Sequence, residues 1–445
     1  MTVPETDFDR WWAERTKAHR FRVTQIPFDE LENWQFDPCT GNLGHASGKF
    51  FTIEGLSVVS TYGPVPRWTQ PIILQPEIGI LGIIVRRIEG VPYCLMQAKM
   101  EPGNVNTLQL SPTVQATRSN YTRVHRGGST RYLDYFVQPR RGRVLVDVLQ
   151  SEQGSWFDRK HNRNMVVEVN EDLPVGDDHC WLPLRQVLDL VSVDNLVNMD
   201  ARSVLSCMPY LPASDSTATF HEALVRSLDP DADSLHSLGQ LLSWFTDAKT
   251  RHDVRVHRIP LDEVSGWTRT HTEIVHEAGR HFRVSAVNVE ASNREVGAWR
   301  QPLLAPAARG IAALLTKSIG GVLHVLIHAR VEPGFIDTVE VGPTVQCIPD
   351  DYRGRPADER PRFLDYVLNV PADRIRFGAY LSEEGGRFWD AQNHYLVVEV
   401  EDDFELLAPA DFRWATVDQL RRLLEHGHYL TVQARSLVTC LYSLL

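Results

Sequence analysis

The sequence predicts an α+β chain made of two tandem copies of one domain, each an α/β-type sandwich of mixed strands with helices at its ends. Three observations lead there. Blocks of residues recur at a near-constant spacing along the 445 residues. The middle of each copy is strand-like, in short runs punctuated by Gly and Pro, and each copy opens and closes on helical periodicity.

Met100-Glu101-Pro102-Gly103 is answered by Val331-Glu332-Pro333-Gly334, so Glu101 and Glu332 lie 231 apart. The same spacing carries Ser111-Pro112-Thr113-Val114-Gln115 onto Gly342-Pro343-Thr344-Val345-Gln346, Leu133-Asp134-Tyr135 onto Leu364-Asp365-Tyr366, and Met165–Val169 onto Leu396–Val400. His45 and Gly48 fall on His276 and Gly279, and Trp68 with Gln70-Pro71 on Trp299 with Gln301-Pro302. Toward both ends the spacing is 233, as Trp11/Trp244, Ile26/Ile259 and Arg202-Ser203/Arg435-Ser436 show, a drift that loop insertions produce. The Pro-, Ser- and Asp-rich stretch from Pro209 to Ser234 separates the copies, giving domains 1–210 and 235–445 with a linker at 211–234.

Each copy opens on an amphipathic helix, marked by Phe8, Trp11 and Trp12 and by Leu238, Leu241, Leu242 and Phe245. A strand follows at Phe21-Arg22-Val23 and at Val254-Arg255-Val256. Further strand-like runs are Gly79–Arg86, Tyr93–Glu101 and the segments around Leu133 and Val166. The closing helices are expected over Leu182–Val191 and Val193–Met208, then Val417–Leu424 and Thr431–Leu444.

A net charge of −11 argues against broad binding to nucleic acid, which needs uncompensated Lys and Arg. The acidic amino terminus has no apolar core of a signal peptide, and no run approaches the length of a membrane helix. Six scattered cysteines without a Cys-x-x-Cys pair fit reduced thiols and a cytoplasmic location. Dinucleotide, phosphate-loop and Gly-x-Ser-x-Gly signatures are missing. His276-Glu277 is followed by His281 at a spacing of five, whereas a helical zinc site needs four, so no metal is expected.

Strand alternation puts Met96, Ala98 and Met100 on one face and Gln97, Lys99 and Glu101 on the other. The second copy repeats this with Ile327, Ala329 and Val331 against His328, Arg330 and Glu332. A cation two positions before a carboxylate reads either as an ion pair that fixes the strand or as a pocket floor with tuned acid–base groups. Asn104, Asn106, Thr107, Gln109, Gln115, Thr117, Arg118, Ser119, Asn120 and Tyr121 add a surface suited to sugar hydroxyls, base carbonyls and phosphate. Arg67 and Trp68 would stack on and hold a base, or Trp68 is core. His45 and His276 are acid–base groups or turn residues. Between copies, Glu101/Glu332, Gln115/Gln346 and Tyr121/Tyr352 agree. Lys99/Arg330, Asn104/Phe335, Asn106/Asp337, Gln109/Glu340 and Ser119/Asp350 differ. Lysine releases its proton and arginine practically does not, so chemistry is expected in the first copy. Trp299, Arg330, Glu332, Thr338, Gln346 and Tyr352 would line a second, non-catalytic pocket.

The runs Trp34-Gln35-Phe36-Asp37, His45-Ala46-Ser47-Gly48-Lys49-Phe50-Phe51, Trp68-Thr69-Gln70-Pro71-Ile72, Gln97–Asn104 and Ser111–Tyr121 resemble NDP-hexose 2,3-dehydratases along essentially the whole chain. The resemblance implies two tandem Nudix-like domains, a homodimer, and removal of the C2 hydroxyl from dTDP-4-keto-6-deoxy-D-glucose. The product is a 3,4-diketo-2,6-dideoxy sugar in deoxysugar biosynthesis for natural products, and a downstream ketoreductase would consume it. The Nudix metal-binding signature is missing: Arg294-Glu295 is the only Arg-Glu, and no Glu-Glu-x-Gly follows it. Elimination needs a base at C3, a donor for the C4 oxyanion and an acid for the leaving hydroxyl, but no cofactor. Those roles are expected of Lys99 and Glu101, of Tyr121 as acid or oxyanion donor, and of His45 as runner-up base. A non-catalytic nucleotide-sugar binder and an epimerase on the same sugar are the rival readings.

Overall fold

The computed structural model describes residues 7–117, 130–138, 141–211, 219–292 and 297–445. Its architecture is two seven-stranded and two five-stranded mixed or antiparallel sheets with flanking helices. In the first copy the hairpin Ile80–Ile88 and Val91–Met100 is the centre of the large sheet. His161–Glu168 runs parallel to Ile80–Ile88 and carries Arg143–Ser151 outside it, and His179–Pro183 borders Val91–Met100. Leu108–Ser111 and Val114–Ala116 extend the hairpin strands. The second copy repeats this with the same register: Ile84 faces Leu95 and Leu315 faces Leu326.

The smaller sheets are not built from one copy each. Phe21–Ile26 pairs with Phe282–Ala291 of the second copy, and Val254–Ile259 pairs with Thr52–Ser60 of the first. The helix before each exchanged strand explains the crossing. Phe8–Ala18 docks on its own copy, with the Trp11 indole N–H donating to Asp177 O at 3.0 Å and Trp11 and Trp12 packed on Ala98, Met100 and Leu108. Leu238–Arg251 does the same, with Trp244 donating to Ala410 O at 2.8 Å. The strand that follows satisfies its backbone groups on the free edge of the other copy's sheet. The aromatic opening helices are therefore intrachain core.

Several sequence expectations change. Around Leu133 the chain forms a 3-10 turn, Leu133–Tyr135, and its counterpart is a short helix, Leu364–Leu368. Tyr132 and Phe363, at φ 62° and 63°, turn the chain before it can extend. Leu182 belongs to a strand, and the helix after it is Leu184–Leu190. The next runs over Met199–Ser206, because Asn198 caps it by accepting from Ala201 N at 2.8 Å. The expected linker holds a helix, Thr219–Ser227, with His221, Ala223, Leu224 and Ser227 buried. The drift in repeat spacing falls partly in the turn after Phe36, which is longer than the turn after Arg269. No helix among the described residues is long and apolar enough to cross a membrane.

Helices Met199–Ser206 and Val432–Ser443 pack on each other and join apolar faces of both large sheets in one core. At their crossing lie Arg202 and Arg435, both 0 % exposed. Arg202 donates to Ser436 Oγ at 3.2 Å, to Val197 O at 2.5 Å and to Ser382 O at 2.6 Å. Arg435 reciprocates with Ser203 Oγ at 2.8 Å, Leu430 O at 2.7 Å and Ser151 O at 2.6 Å. The repeated Arg-Ser dipeptide is thus a two-fold exchange between the copies. Removing one arginine strands three buried acceptors, so Arg435→Met should cost about 3 kcal/mol or more in urea unfolding.

Glu340, fully buried, accepts from Ser151 Oγ at 2.5 Å, and burial pushes its carboxyl up to about 8. As pH rises from the ordinary carboxylate range toward 8, the unfolded chain ionises Glu340 while the folded chain resists doing so. Stability is therefore lost as pH rises through that window. Gln109 holds the equivalent place in the first copy, accepting from Ser382 Oγ. Glu340→Gln should reduce this loss, with the melting temperature rising relative to the parent at pH 8 and changing least at pH 4.

Candidate active site

The strand Val91–Met100 alternates as its sequence requires. Met96, Ala98 and Met100 enter the core, while Gln97 and Lys99 are partly buried on the other face. Lys99 Nζ lies 3.2 Å from Glu101 Oε1 and 3.4 Å from Gln115 O. Gln115 Nε2 donates to Glu101 Oε1 at 3.0 Å, and Gln115 Oε1 accepts from Asn198 at 3.1 Å. Gln115 therefore orients Glu101 and ties it to the cap of helix Met199–Ser206.

The second copy closes this site. Its segment 383–390 crosses Glu101–Asn104, with Gly103 N donating to Gly385 O at 2.7 Å and Asp390 N to Gly103 O at 2.9 Å. The mirror contacts are Gly334 N to Gly154 O at 2.7 Å and Arg159 N to Gly334 O at 2.8 Å. This accounts for the repeated Glu-Pro-Gly. A methyl on Gly103 would overlap the Phe388 carbonyl, and one on Gly334 the Phe157 carbonyl. Each site thus combines one copy's large sheet with the other copy's loop and small sheet.

That exchange corrects several assignments. Trp68 donates to Gln70 Oε1 at 2.8 Å, and Gln70 holds Ser155 O, beside Glu332. Trp299 and Gln301 form the matching pair and hold Gly386 O, beside Glu101. The two tryptophans therefore belong to the sites opposite to those expected, and Trp68 packs in a core with Leu56, Val58 and Ile72. Arg67 is exposed on the same strand. Gln109 is fully buried in the seam between copies, bonded to Ser382 and Asn106, and Asn106 also donates to Asn195 O. Thr107 makes a turn at φ 64°, and Asn104 donates to Thr107 O at 3.1 Å. Both amides are thus held by neighbouring protein groups. His45 is fixed in a hairpin turn, its Nδ1 2.7 Å from Ser47 Oγ and its ring edge-on to Trp34 and Phe50. Thr117 is partly buried, and Arg118, Ser119, Asn120 and Tyr121 lie outside the described residues.

In the trailing site Arg330 Nε donates to Glu332 Oε1 at 2.7 Å and its Nη1 to Gln346 O at 3.0 Å. Gln346 and Ser155 N complete Glu332. Tyr62, from the first copy, bonds His328 Nε2 at 3.0 Å. Burial raises the Tyr62 phenol to about 12 and lowers the His328 imidazole to about 3, so this pair stays neutral. Tyr352 ends the 3-10 turn Pro349–Tyr352, and Thr338 N donates to Asp337 Oδ1.

A family model described as NDP-hexose 2,3-dehydratase matches residues 5–208 and again 238–441. The chain belongs to the NDP-hexose 2,3-dehydratase family. It is 54 % identical over 448 residues to a Saccharopolyspora spinosa protein named dTDP-4-dehydro-6-deoxy-alpha-D-glucopyranose 2,3-dehydratase, covering 99 % of this chain and 92 % of that protein. Proteins of the same name from Amycolatopsis orientalis and Streptomyces violaceoruber are 51 % and 49 % identical. They cover 98 % and 100 % of this chain, and 89 % and 98 % of their own lengths.

Sequence reasoning missed the charged groups that this dehydratase-family chain gathers from distant segments around Lys99 and Glu101. These are Glu152, Lys160, Asp200, Glu384 and Arg387. Arg387 donates to Gln75 Oε1 at 3.0 Å and lies over Phe51, and Lys160 bonds Glu77 O and Asn162. The seam that assembles them makes a direct prediction. Gly103→Ala should lower stability by about 1–3 kcal/mol and reduce turnover with it, read by thermal unfolding and initial rates.

Proposed function

We infer that the chain eliminates water from dTDP-4-keto-6-deoxy-D-glucose, giving dTDP-3,4-diketo-2,6-dideoxy-D-glucose, and that it does so in the leading site. The observation that carries this is the Lys99–Glu101 pair, partly shielded and 3.2 Å apart, in a chain about half identical to full-length relatives named for this reaction.

The C4 ketone acidifies the C3 hydrogen. Glu101, in contact with Lys99, takes that proton, and the positive charge of Lys99 stabilises the negative charge that spreads to the C4 oxygen. The C2–O bond then breaks as the hydroxyl is protonated, and the resulting enol tautomerises to the diketone. Oxidation at C3 balances reduction at C2, so the reaction requires no external oxidant or reductant. Tyr121 is assigned as a donor to the oxyanion or leaving group. The trailing site, whose arginine and carboxylate are satisfied internally, would hold a nucleotide sugar without turning it over. Mixed sheets with flanking helices in both repeats support a Nudix-like origin for the two halves. The assembly as a homodimer and the ketoreductase that would consume the diketone rest on the family resemblance.

Incubation with the 4-keto sugar should produce the diketone with loss of one water by mass spectrometry. An epimerase would give a product of unchanged mass, and a binding protein no product. Lys99→Met should lower kcat at least about 100-fold, the scale of a positioned proton-transfer or oxyanion group. Near-normal turnover would remove Lys99 from the mechanism.

A further inference from the structure

We propose that Glu384, contributed by the trailing copy, is the acid that protonates the departing C2 hydroxyl in the leading site, with Asp200 and Glu152 behind it as its proton relay. This rests on the dehydratase reading and adds to it a residue 283 positions from Glu101.

The placement is the first argument. A methyl built on Gly386 would lie 3.2 Å from Glu384 Oε1 and 3.7 Å from Glu101 Oε1, so both carboxylates border one small space that glycine leaves open. Glu384 Oε2, Asp200 Oδ1, Glu152 Oε2 and Asn104 Oδ1 are shielded from solvent with no hydrogen-bond partner among the described residues. Asp200 and Glu152 are each only 3 % exposed. Such acceptors are costly to bury unless a proton or a ligand hydroxyl meets them.

Charge is the second. Burial, followed by repulsion among these groups, raises the proton affinity of Asp200 and Glu152; burial with repulsion from Glu101 does the same for Glu384. Lys99, Lys160 and Arg387 offset part of the repulsion. All three shifts favour the protonated carboxyl, the direction required of a group that must donate to a leaving hydroxyl.

The broken symmetry between the copies is the third. At the matching positions of the trailing site stand Gln153 for Glu384, Gln433 for Asp200 and Ala391 for Lys160. Gln153 and Gln433 both donate to Glu383 Oε2, at 2.6 and 3.3 Å. An amide keeps the shape of the acid and loses its transferable proton. Glu384 and Asp200 thus have amide counterparts on the side of the arginine, while Glu152 keeps an acidic counterpart in Glu383.

In the proposed step the Glu384 O–H bond breaks, its proton goes to the C2 oxygen, and the C2–O bond breaks to release water. The C3 proton taken by Glu101 then returns to Glu384 through the carboxyl cluster, so the site is restored and the sugar has lost one water.

The test compares the unaltered chain with Glu384→Gln, Glu384→Asp and Asp200→Gln on the 4-keto sugar in D2O. Glu384→Gln should lower kcat at least about 100-fold while leaving dTDP affinity within about twofold. It should still exchange the C3 hydrogen of recovered substrate for deuterium, because the base is intact. Glu384→Asp should recover part of the rate. Turnover of Glu384→Gln within about threefold of the unaltered chain overturns the proposal, as does loss of C3 exchange together with turnover. Should Glu384→Gln not fold, Asp200→Gln carries the test: exchange retained with kcat lowered about tenfold supports the relay, and unchanged kcat overturns it. If the unaltered chain releases no water, the dehydratase reading itself fails, a result separate from any difference between variants.

Discussion

The exchange of two buried arginines across the copies is the constraint on which the remaining architecture depends. Arg202 and Arg435 each leave their own helix to bind a serine hydroxyl and a strand-end carbonyl of the other copy. A guanidinium out of water is tolerated only where fixed acceptors meet its donors, so the two halves have one relative placement that satisfies both. That placement brings Glu-Pro-Gly of one copy under the loop of the other and lets the opening strands cross. A site assembled in this way cannot belong to one half.

The two-fold arrangement is carried by backbone contacts and apolar packing, and it is broken in the side chains that face the sites. On one side arginine and glutamate pair with each other, Gln346 donates to the glutamate, and a neutral tyrosine–histidine pair fills in beside them. On the other, a lysine–glutamate pair shares its surroundings with carboxyls whose outer oxygens have no partner among the described residues. Duplication followed by divergence at a few positions gives one chain an arginine–glutamate site and a lysine–glutamate site on the same scaffold. The trailing copy also contributes structure to the lysine–glutamate site, because its loop and strands complete it.

The repeat, the strand alternation at Lys99 and Glu101, and the helices near Val417 and Thr431 were legible because each depends on local spacing. The strand crossing was not. Phe21-Arg22-Val23 reads as an edge strand, and its pattern says nothing about which sheet it joins. For the same reason spacing alone does not show that the Trp68–Gln70 pair lies beside Glu332 and the Trp299–Gln301 pair beside Glu101. Amides such as Gln109 and Asn106 suit both sugars and interfaces, and only the folded chain shows that they bond Ser382 of the other copy and Asn195 of their own. Glu384 and Asp200 carry a signal after all: each is an acid where its repeat partner is glutamine. That comparison gains meaning only once folding shows the positions to be neighbours.

The most direct measurement is a crystal structure of the chain soaked with dTDP-4-keto-6-deoxy-D-glucose or an unreactive analogue. The hexose ring should lie between Glu101 of the leading copy and Glu384 of the trailing copy, with its C3 edge toward Lys99 and Glu101. Density for the hexose only beside Arg330 and Glu332, with the Lys99 side left to water, would contradict it.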